Sequence, residues 1–451
     1  MTRTRGLTKS LPTPINSVRK LQRALYAKAK AEPDFRFYSL WDKVHRTDVM
    51  TEAYRRCRAN RGSVGVDGQS FVDIEELGVE AWLSSLQEEL KSGNYRSKPL
   101  KRVWIPKASG GKRPLGIPCI RDRVVQMAVN IVILPIFEAD FRPCQYGFRP
   151  KIDAKMAIRR IYYHATQHRR TDIVDADLKD YFNTIPHSPL IRSVARRISD
   201  GRLLSLLKHW LETPVMERVD GQTKVSTTAK RTHRGTPQGG VISPLLANIY
   251  FKRFVLAWEK FGFQAKFNAQ IVNYADDFVI CCSRGKGELA MTAMHHLMSK
   301  LGLTVNTDKT HLAHVPQESF DFLGYTFCKQ YAKDGRVYLG TKPSKKALKS
   351  LRSKIHEETA INRTWDMVEN RVNRLNQLIG GWANYFNQGP VLGSYNFIEE
   401  YTGRRLRRWL TKKHKQKGKS GWRLYSDAYL HNELGLIKLP RNRAELSSAK
   451  A

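Results

Sequence analysis

Hydrophobic positions change their spacing along this chain, and each spacing predicts a different element. SVRKLQRALYAKAKAEPDFRFYSLWDKV reads as a basic helical stretch that breaks at Pro33. NRGSVGVDGQSF (60–71) is Gly-rich but lacks the Gly-Lys-Ser/Thr ending of a nucleotide P-loop, so it reads as a connector. RVWIPKASGGKRPLGIP (102–118) predicts strand, turn, strand, and a long apolar helix follows it. The front half of TDIVDADLKDYFNTIP alternates as a strand does. RGTPQGGVISPLLANIYFKRFVLAWEKF (234–261) opens on a Gly-rich turn and continues as a helix. Ser243 fits its N-cap and Pro244 its first position, and Leu246, Tyr250, Phe254 and Trp258 share one face. IVNY and FVICC are each about a strand long and flank Asp276 and Asp277, which predicts a β-hairpin with both acids at or beside its tight turn. A helix over 288–301, TVNTDKTHLA and the apolar SFDFLGYTF come next.

Beyond residue 343 helical patterns dominate. In TWDMVENRVNRLNQLIGGWANYFN the series Trp365, Val368, Val372, Leu375, Ile379, Trp382, Phe386 alternates steps of three and four, the mark of an amphipathic helix. RRLRRWLTKKHKQKGK (404–419) follows as a basic segment, and a domain boundary is expected near 340.

Composition sharpens this outline. A chain of 451 residues exceeds one compact core, so two or three domains are expected. Lys and Arg total 78 against 41 Asp and Glu, a net charge of +37, and a surplus that large favours phosphate backbones as partners. A membrane is the competing polyanion, but no stretch reaches the ~18 consecutive apolar residues of a spanning helix. VVQMAVNIVILPIF is interrupted by Gln126, Asn130 and Pro135. MTRTRGLTKSLPTP has no hydrophobic block behind its basic residues, so no signal peptide is expected. The six cysteines form no C-x-x-C pair and mostly sit in apolar surroundings. They read as reduced, buried thiols of a cytosolic protein, with no structural zinc of the usual spacing.

Two strand-like segments carry acids: Asp177 in VDADL and Asp276–Asp277 in YADD. Side by side in one sheet they would bring three carboxylates together, which is costly unless cations neutralise them. Oxygen-only ligands suit Mg²⁺, and two such ions ~3.5–4 Å apart stabilise an in-line phosphoryl transfer. Asp175 shares a strand face with Asp177, so spacing leaves it open as a further ligand.

With these residues in view, the chain resembles the reverse transcriptases encoded by bacterial group II introns. RGTPQGGVISPLLANIYF is the most specific signature; YADD is similar to the polymerase palm hairpin and DLKDYFNTI to the first palm motif. KRPLGIP resembles the fingers hairpin, LTVNTDKTHL the next palm motif, FDFLGYTF the approach to the thumb, and GGWANYFN the maturase or X region that binds intron RNA. The resemblance implies an α+β right-hand polymerase, with fingers and an antiparallel palm sheet followed by an α-helical thumb/maturase domain. Its expected parts are an N-terminal helical extension (1–60), fingers and palm (61–340), thumb and maturase region (341–430) and a tail (431–451). It also implies an RNA-directed DNA polymerase that copies RNA, expected to be its own group II intron RNA, from a DNA primer with deoxynucleoside triphosphates, and that assists splicing.

Residue by residue, the resemblance implies that Asp177, Asp276 and Asp277 hold two Mg²⁺ ions, with Asp277 the weaker ligand. Phe182 stacks under the incoming sugar and excludes a 2′-OH, Lys107 and Arg113 neutralise the triphosphate, and Gln238 lies against the nucleotide. Lys309 protonates the pyrophosphate leaving group or is a solvated lysine. Arg404, Arg405, Arg407, Arg408, Lys412, Lys413 and Lys415 surround Trp409, with Trp422 and Tyr425 beyond. Cations for phosphates and aromatics for bases point to RNA, while Leu406, Trp409 and Leu410 face the core. Many relatives continue into an endonuclease with paired cysteines and histidines; here none is expected, and His311 and His314 read as incidental. A splicing cofactor with a vestigial polymerase site, or a relative recruited to defence or repair, are the alternatives.

Overall fold

The structure, a computed structural model, describes residues 15–106, 110–220, 222–332, 334–416 and 421–440. Among the described residues, eleven strands form three sheets. β1 (Leu100–Pro106), β2 (Lys112–Ile117), β4 (Val215–Val219) and β5 (Gln222–Ser226) make the fingers sheet in the order β2-β1-β4-β5. β3 (Asp172–Asp177), β6 (Gln270–Tyr274), β7 (Asp277–Cys282) and β8 (His311–His314) make an antiparallel palm sheet in the order β6-β7-β3-β8. β9 (Phe320–Phe322), β10 (Tyr325–Tyr331) and β11 (Val337–Pro343) form a third, antiparallel sheet.

The unbroken apolar run FVICC becomes a central strand because both faces of the palm sheet are covered. Phe278, Ile280 and Cys282 join one core, where Phe278 meets Phe251 and Phe254 of the helix Ser243–Lys260 edge-on or tilted. Val279 and Cys281 point the other way and pack with Tyr146, Phe320 and Phe327. All six cysteines are free thiols, and Cys281 and Cys282 end up on opposite faces as strand alternation requires. The Ser243–Lys260 helix buries Leu246, Tyr250, Phe254 and Trp258, the predicted stripe. Ser243 is a correction: it is the first helical residue, and its hydroxyl donates to the Pro237 carbonyl at 2.8 Å instead of capping an amide.

The helix Ile120–Glu138 is mostly apolar beyond its first turn and largely buried, and the helices Ile15–Ala31 and Thr47–Ala59 pack on it. The N-terminal helices thus share one core with the palm. After β11 the helices Lys345–Glu358, Val368–Tyr385 and Leu392–Lys413 enclose a separate core around Leu351, Leu375, Ile379, Leu406 and Trp409. Each such leucine stabilises the packing by roughly 1.5–3 kcal/mol. Here too the periodicity overreached: the predicted helix starts at Val368, and Trp365 lies outside it, 80% exposed. No helix among the described residues is long and apolar enough to cross a membrane.

Candidate active site

Asp177 closes β3 directly opposite Asp277, the first residue of β7. Cross-strand partners share a face, so two carboxylates stand side by side where like charges repel. Asp276 occupies the two-residue turn with Ala275, whose φ of 62° is left-handed. The turn is braced from behind. Asn273 donates its side-chain amide to the Ala275 carbonyl at 2.8 Å, and Tyr146 N and Asn273 N exchange bonds with Asn273 O and Cys144 O, each at 2.8 Å. Gly147 lies against the turn so closely that a Cβ there would stand 2.4 Å from the Ala275 nitrogen.

Burial, then the neighbouring Asp276 and Asp177, pushes the Asp277 carboxyl up to about 7; Lys309 and Arg113 offset this only in part. Burial raises Asp276 as well, with Asp177 adding to it. Asp175 answers the question that spacing left open. It sits two residues inside the strand, roughly 7 Å from the strand end, across from Val279 and His311. Burial, Asp277, Asp177 and Asp321 push it to about 8, so at neutral pH it is largely protonated, with His311 3.9 Å away.

The motif LTVNTDKTHL comes to the same strand end. Asn306 Nδ2 and Lys309 Nζ each donate to Asp177 Oδ2 at 3.0 Å, and Asn306 N donates to the Asp177 carbonyl at 2.8 Å. Lys309 is therefore the counterion of Asp177, and that hydrogen bond raises its ammonium above the ordinary lysine value. Arg113 stands exposed on β2, near enough to pull down Asp276 and Asp277. Lys107 lies outside the described residues.

Phe182 is half-buried beside Phe148, ring centroids 6.4 Å apart and nearly perpendicular, and its carbonyl accepts from Thr236 N at 2.6 Å. That bond seats the Thr-Pro-Gln-Gly-Gly turn beside it. Gln238 lines a cleft with Pro114, Gly116, Asn183 and Thr236, and its carbonyl accepts from Gly116 N at 2.7 Å. Gly239 has φ 109°, and a Cβ on it would meet the Gly116 carbonyl at 2.8 Å, so the turn touches the fingers only with glycine there. Gln126 ties the far side: its Oε1 accepts from Val241 N at 2.8 Å. Sequence reasoning missed Gln126, Asn306, Gly147 and Phe148. Gln126 was visible as a polar break in an apolar helix, and Phe148 as part of CQYGFRP; it proves 48% exposed with φ 56°.

The basic helix Leu392–Lys413 requires a correction. Arg407 is buried; its Nε donates to the Tyr425 carbonyl at 2.7 Å, it pairs with Asp427, and its guanidinium lies 3.8 Å from the Trp422 ring centroid. Arg405 donates to Thr359 Oγ1 and to the His356 and Thr359 carbonyls, closing the end of a neighbouring helix. Lys413 donates to the Thr364 and Asp366 carbonyls at 3.0 and 2.8 Å. These three are held by the protein itself, and Tyr425 is buried against His414. Arg404, Arg408, Lys412 and Lys415 remain exposed, the first three on one stripe at steps of four. Leu406, Trp409 and Leu410 face the core as expected.

Two family models match. Residues 105–327 match "Reverse transcriptase (RNA-dependent DNA polymerase)", and residues 348–427 match "Group II intron, maturase-specific domain". Protein YkfC of Escherichia coli K12 is 32% identical over 367 residues, covering 73% of this chain and 93% of that one. The group II intron-encoded protein LtrA of Lactococcus lactis subsp. cremoris is 32% identical over 232 residues, 51% of this chain; the match spans 36% of LtrA, about a third of its length. An uncharacterized 91 kDa protein in the cob intron of Schizosaccharomyces pombe is 32% identical over 203 residues, 45% of this chain and 24% of that one.

Proposed function

This chain belongs to the group II intron-encoded reverse transcriptases, RNA-directed DNA polymerases with a maturase region, and from that premise we propose how its own residues perform the transfer. Asp177, Asp276 and Asp277 hold two Mg²⁺ ions. Their donor set is all oxygen, and burial together with neighbouring carboxylates raises Asp276 and Asp277, a cost that bound cations would relieve. When bound, the ions stabilise the attacking and leaving oxygens of an in-line phosphoryl transfer.

The remaining work falls to the chain. Arg113 on the fingers hairpin, with Lys107, neutralises the triphosphate. Phe182, held by Phe148 and by the Thr236 bond, presents its ring to the sugar of the incoming deoxynucleotide. Gln238 lies against the nucleotide from a turn fixed between fingers and palm. Lys309 stays hydrogen-bonded to Asp177 until substrate arrives, and its Nζ proton is then available to the leaving pyrophosphate. RNA is a partner of this family; the exposed stripe Arg404, Arg408, Lys412, with Lys415, is the face we assign to it. The template is proposed to be the chain's own intron RNA, extended from a DNA primer, and the same grip assists splicing.

The observation that carries this reading is Asp177 facing Asp277 across β3 and β7, with Asp276 in the adjoining turn. Primer extension on an RNA template with Mg²⁺ tests it. Asp276→Ala removes several kcal/mol of transition-state stabilisation, about 10³-fold in rate. Extension by neither protein favours the splicing-only reading, and extension by both removes Asp276 from the site.

A further inference from the structure

Apart from the palm aspartates, three side chains from distant parts of the chain have the makeup of a transition-metal site. His187 opens the helix His187–Ala195, Glu212 caps the C-terminal end of the helix Gly201–Leu211, and His233 stands two residues before the glycine that starts the Gly-Thr-Pro-Gln-Gly-Gly turn. One ligand atom from each lies within 4.8 Å of the other two, the one such trio of His, Cys, Asp or Glu found among the described residues.

The decisive atom is His187 Nδ1. The ring is buried, only 4% exposed, and its Nε2 lies 2.8 Å from the Gly235 carbonyl. A carbonyl only accepts, so Nε2 carries the proton and Nδ1 presents a bare lone pair. That nitrogen is buried with no hydrogen-bond partner. Buried acceptors are nearly always paired, so an orphan calls for an explanation. Metal-bound imidazoles are set up in this way, one nitrogen tied to a backbone carbonyl and the other on the ion. His187 N donates to the His233 carbonyl at 2.9 Å, so the two histidines are joined through the backbone. The adjacent Arg234 turns its guanidinium away, donating to the carbonyls of Thr184 and Gly302 at 3.1 and 3.0 Å.

We propose that His187 Nδ1, Glu212 and His233 form a Zn²⁺ site with an open fourth position, clamping the segment that leads into the Thr-Pro-Gln-Gly-Gly turn against two palm helices. Two imidazoles and one carboxylate suit Zn²⁺, whereas Mg²⁺ prefers oxygen alone. The proposal does not depend on the polymerase reading, because its ligands are separate from the palm aspartates.

The test uses the full chain, stripped with a chelator and kept in excess Mg²⁺ so that oxygen sites are filled. Zn²⁺ is titrated by calorimetry, and Co²⁺ by its visible absorption. One Zn²⁺ per chain is expected, together with a Co²⁺ spectrum of low coordination number that Zn²⁺ quenches. Glu212→Gln and His233→Ala, neither at a fully buried position, should each weaken Zn²⁺ by at least about 100-fold with circular dichroism and melting of the metal-free protein unchanged. Asp276→Ala should retain the full equivalent. Absence of saturable Zn²⁺ binding in the parent, equal affinity in both ligand variants, or loss of the equivalent in Asp276→Ala would each overturn the site.

Discussion

The palm hairpin and the helix Leu392–Lys413 each gather charges of one sign, and they resolve them in opposite ways. At the palm, Asp177, Asp276 and Asp277 crowd one strand end, and the cations that offset them are an exposed lysine and an exposed arginine. In the helix, three of the seven named cations are taken up internally by backbone carbonyls, by Asp427 and by the Trp422 ring. A run of charge in a sequence therefore says little about which charges are available. What identifies the missing partner is the charge the fold leaves uncompensated, negative at the palm and positive along the stripe.

The sharpest way to break this comparison is to remove the exposed cations together. Arg404→Ala, Arg408→Ala, Lys412→Ala and Lys415→Ala combined should lower the salt slope of RNA binding by about 3, near 0.7 for each single-strand phosphate contact, or about 10³-fold in affinity at 0.1 M salt. Melting temperature should stay put. Filter binding across a salt series reads this directly, and an unchanged slope would assign RNA to another face.

Arg407→Met asks the converse. It removes a buried guanidinium with a backbone bond, an ion pair and a ring contact, and should cost about 2 kcal/mol of stability with the salt slope intact. Denaturant unfolding of the variant checks it. A variant as stable as the parent that binds RNA with a shallower slope would return Arg407 to the interface.

Why the sequence could not separate these arginines is instructive. Arg404, Arg405, Arg407 and Arg408 are alike in composition, and only the phase set by Leu406, Trp409 and Leu410 divides them. That phase locates Arg404, Arg408 and Lys412 on the outer face, but Arg407's partners, Tyr425 and Asp427, arrive by a later loop that local pattern does not place. The palm was legible wherever the signal was local: FVICC as core, the tight turn at Ala275–Asp276, and the Leu246 to Trp258 stripe. Long-range pairings were not. Asp177 facing Asp277, Lys309 reaching Asp177, Gly147 under Ala275 and His187 beside His233 each join segments that no periodicity relates.

A smaller effect sharpens the palm side. Asp277 titrates near 7 in the fold, above its value of about 4 in an unfolded chain. Between those pH values the folded chain holds the extra proton, so this group withdraws stability as pH rises from about 4 to 7. Without divalent cation, the melting temperature of the parent should therefore fall relative to that of Asp277→Asn across this interval. Mg²⁺ favours the ionised form and should reverse the loss, and the acid limb of primer extension should move to lower pH as Mg²⁺ rises. A limb fixed at every Mg²⁺ concentration would remove Asp277 from the metal ligands.

The smallest effect concerns Lys309, which stands where the two regions differ most. Among the described residues it is the one cation bonded to the palm carboxylates, yet its side chain is 66% exposed, unlike the buried Arg407. An exposed pair of this kind contributes about 0.2–1 kcal/mol. On the proposed reading Mg²⁺ displaces it from Asp177, so Lys309→Met should lower the Mg²⁺ concentration for half-maximal extension, by no more than about fivefold on that energy. If Lys309 also delivers the proton to pyrophosphate, the rate at saturating Mg²⁺ falls in the same variant, and the two changes separate in one titration. A half-saturation point that rises instead would mean that Lys309 positions Asp177 for the ion, and the contrast between a displaceable palm cation and the fixed arginines of the helix would collapse.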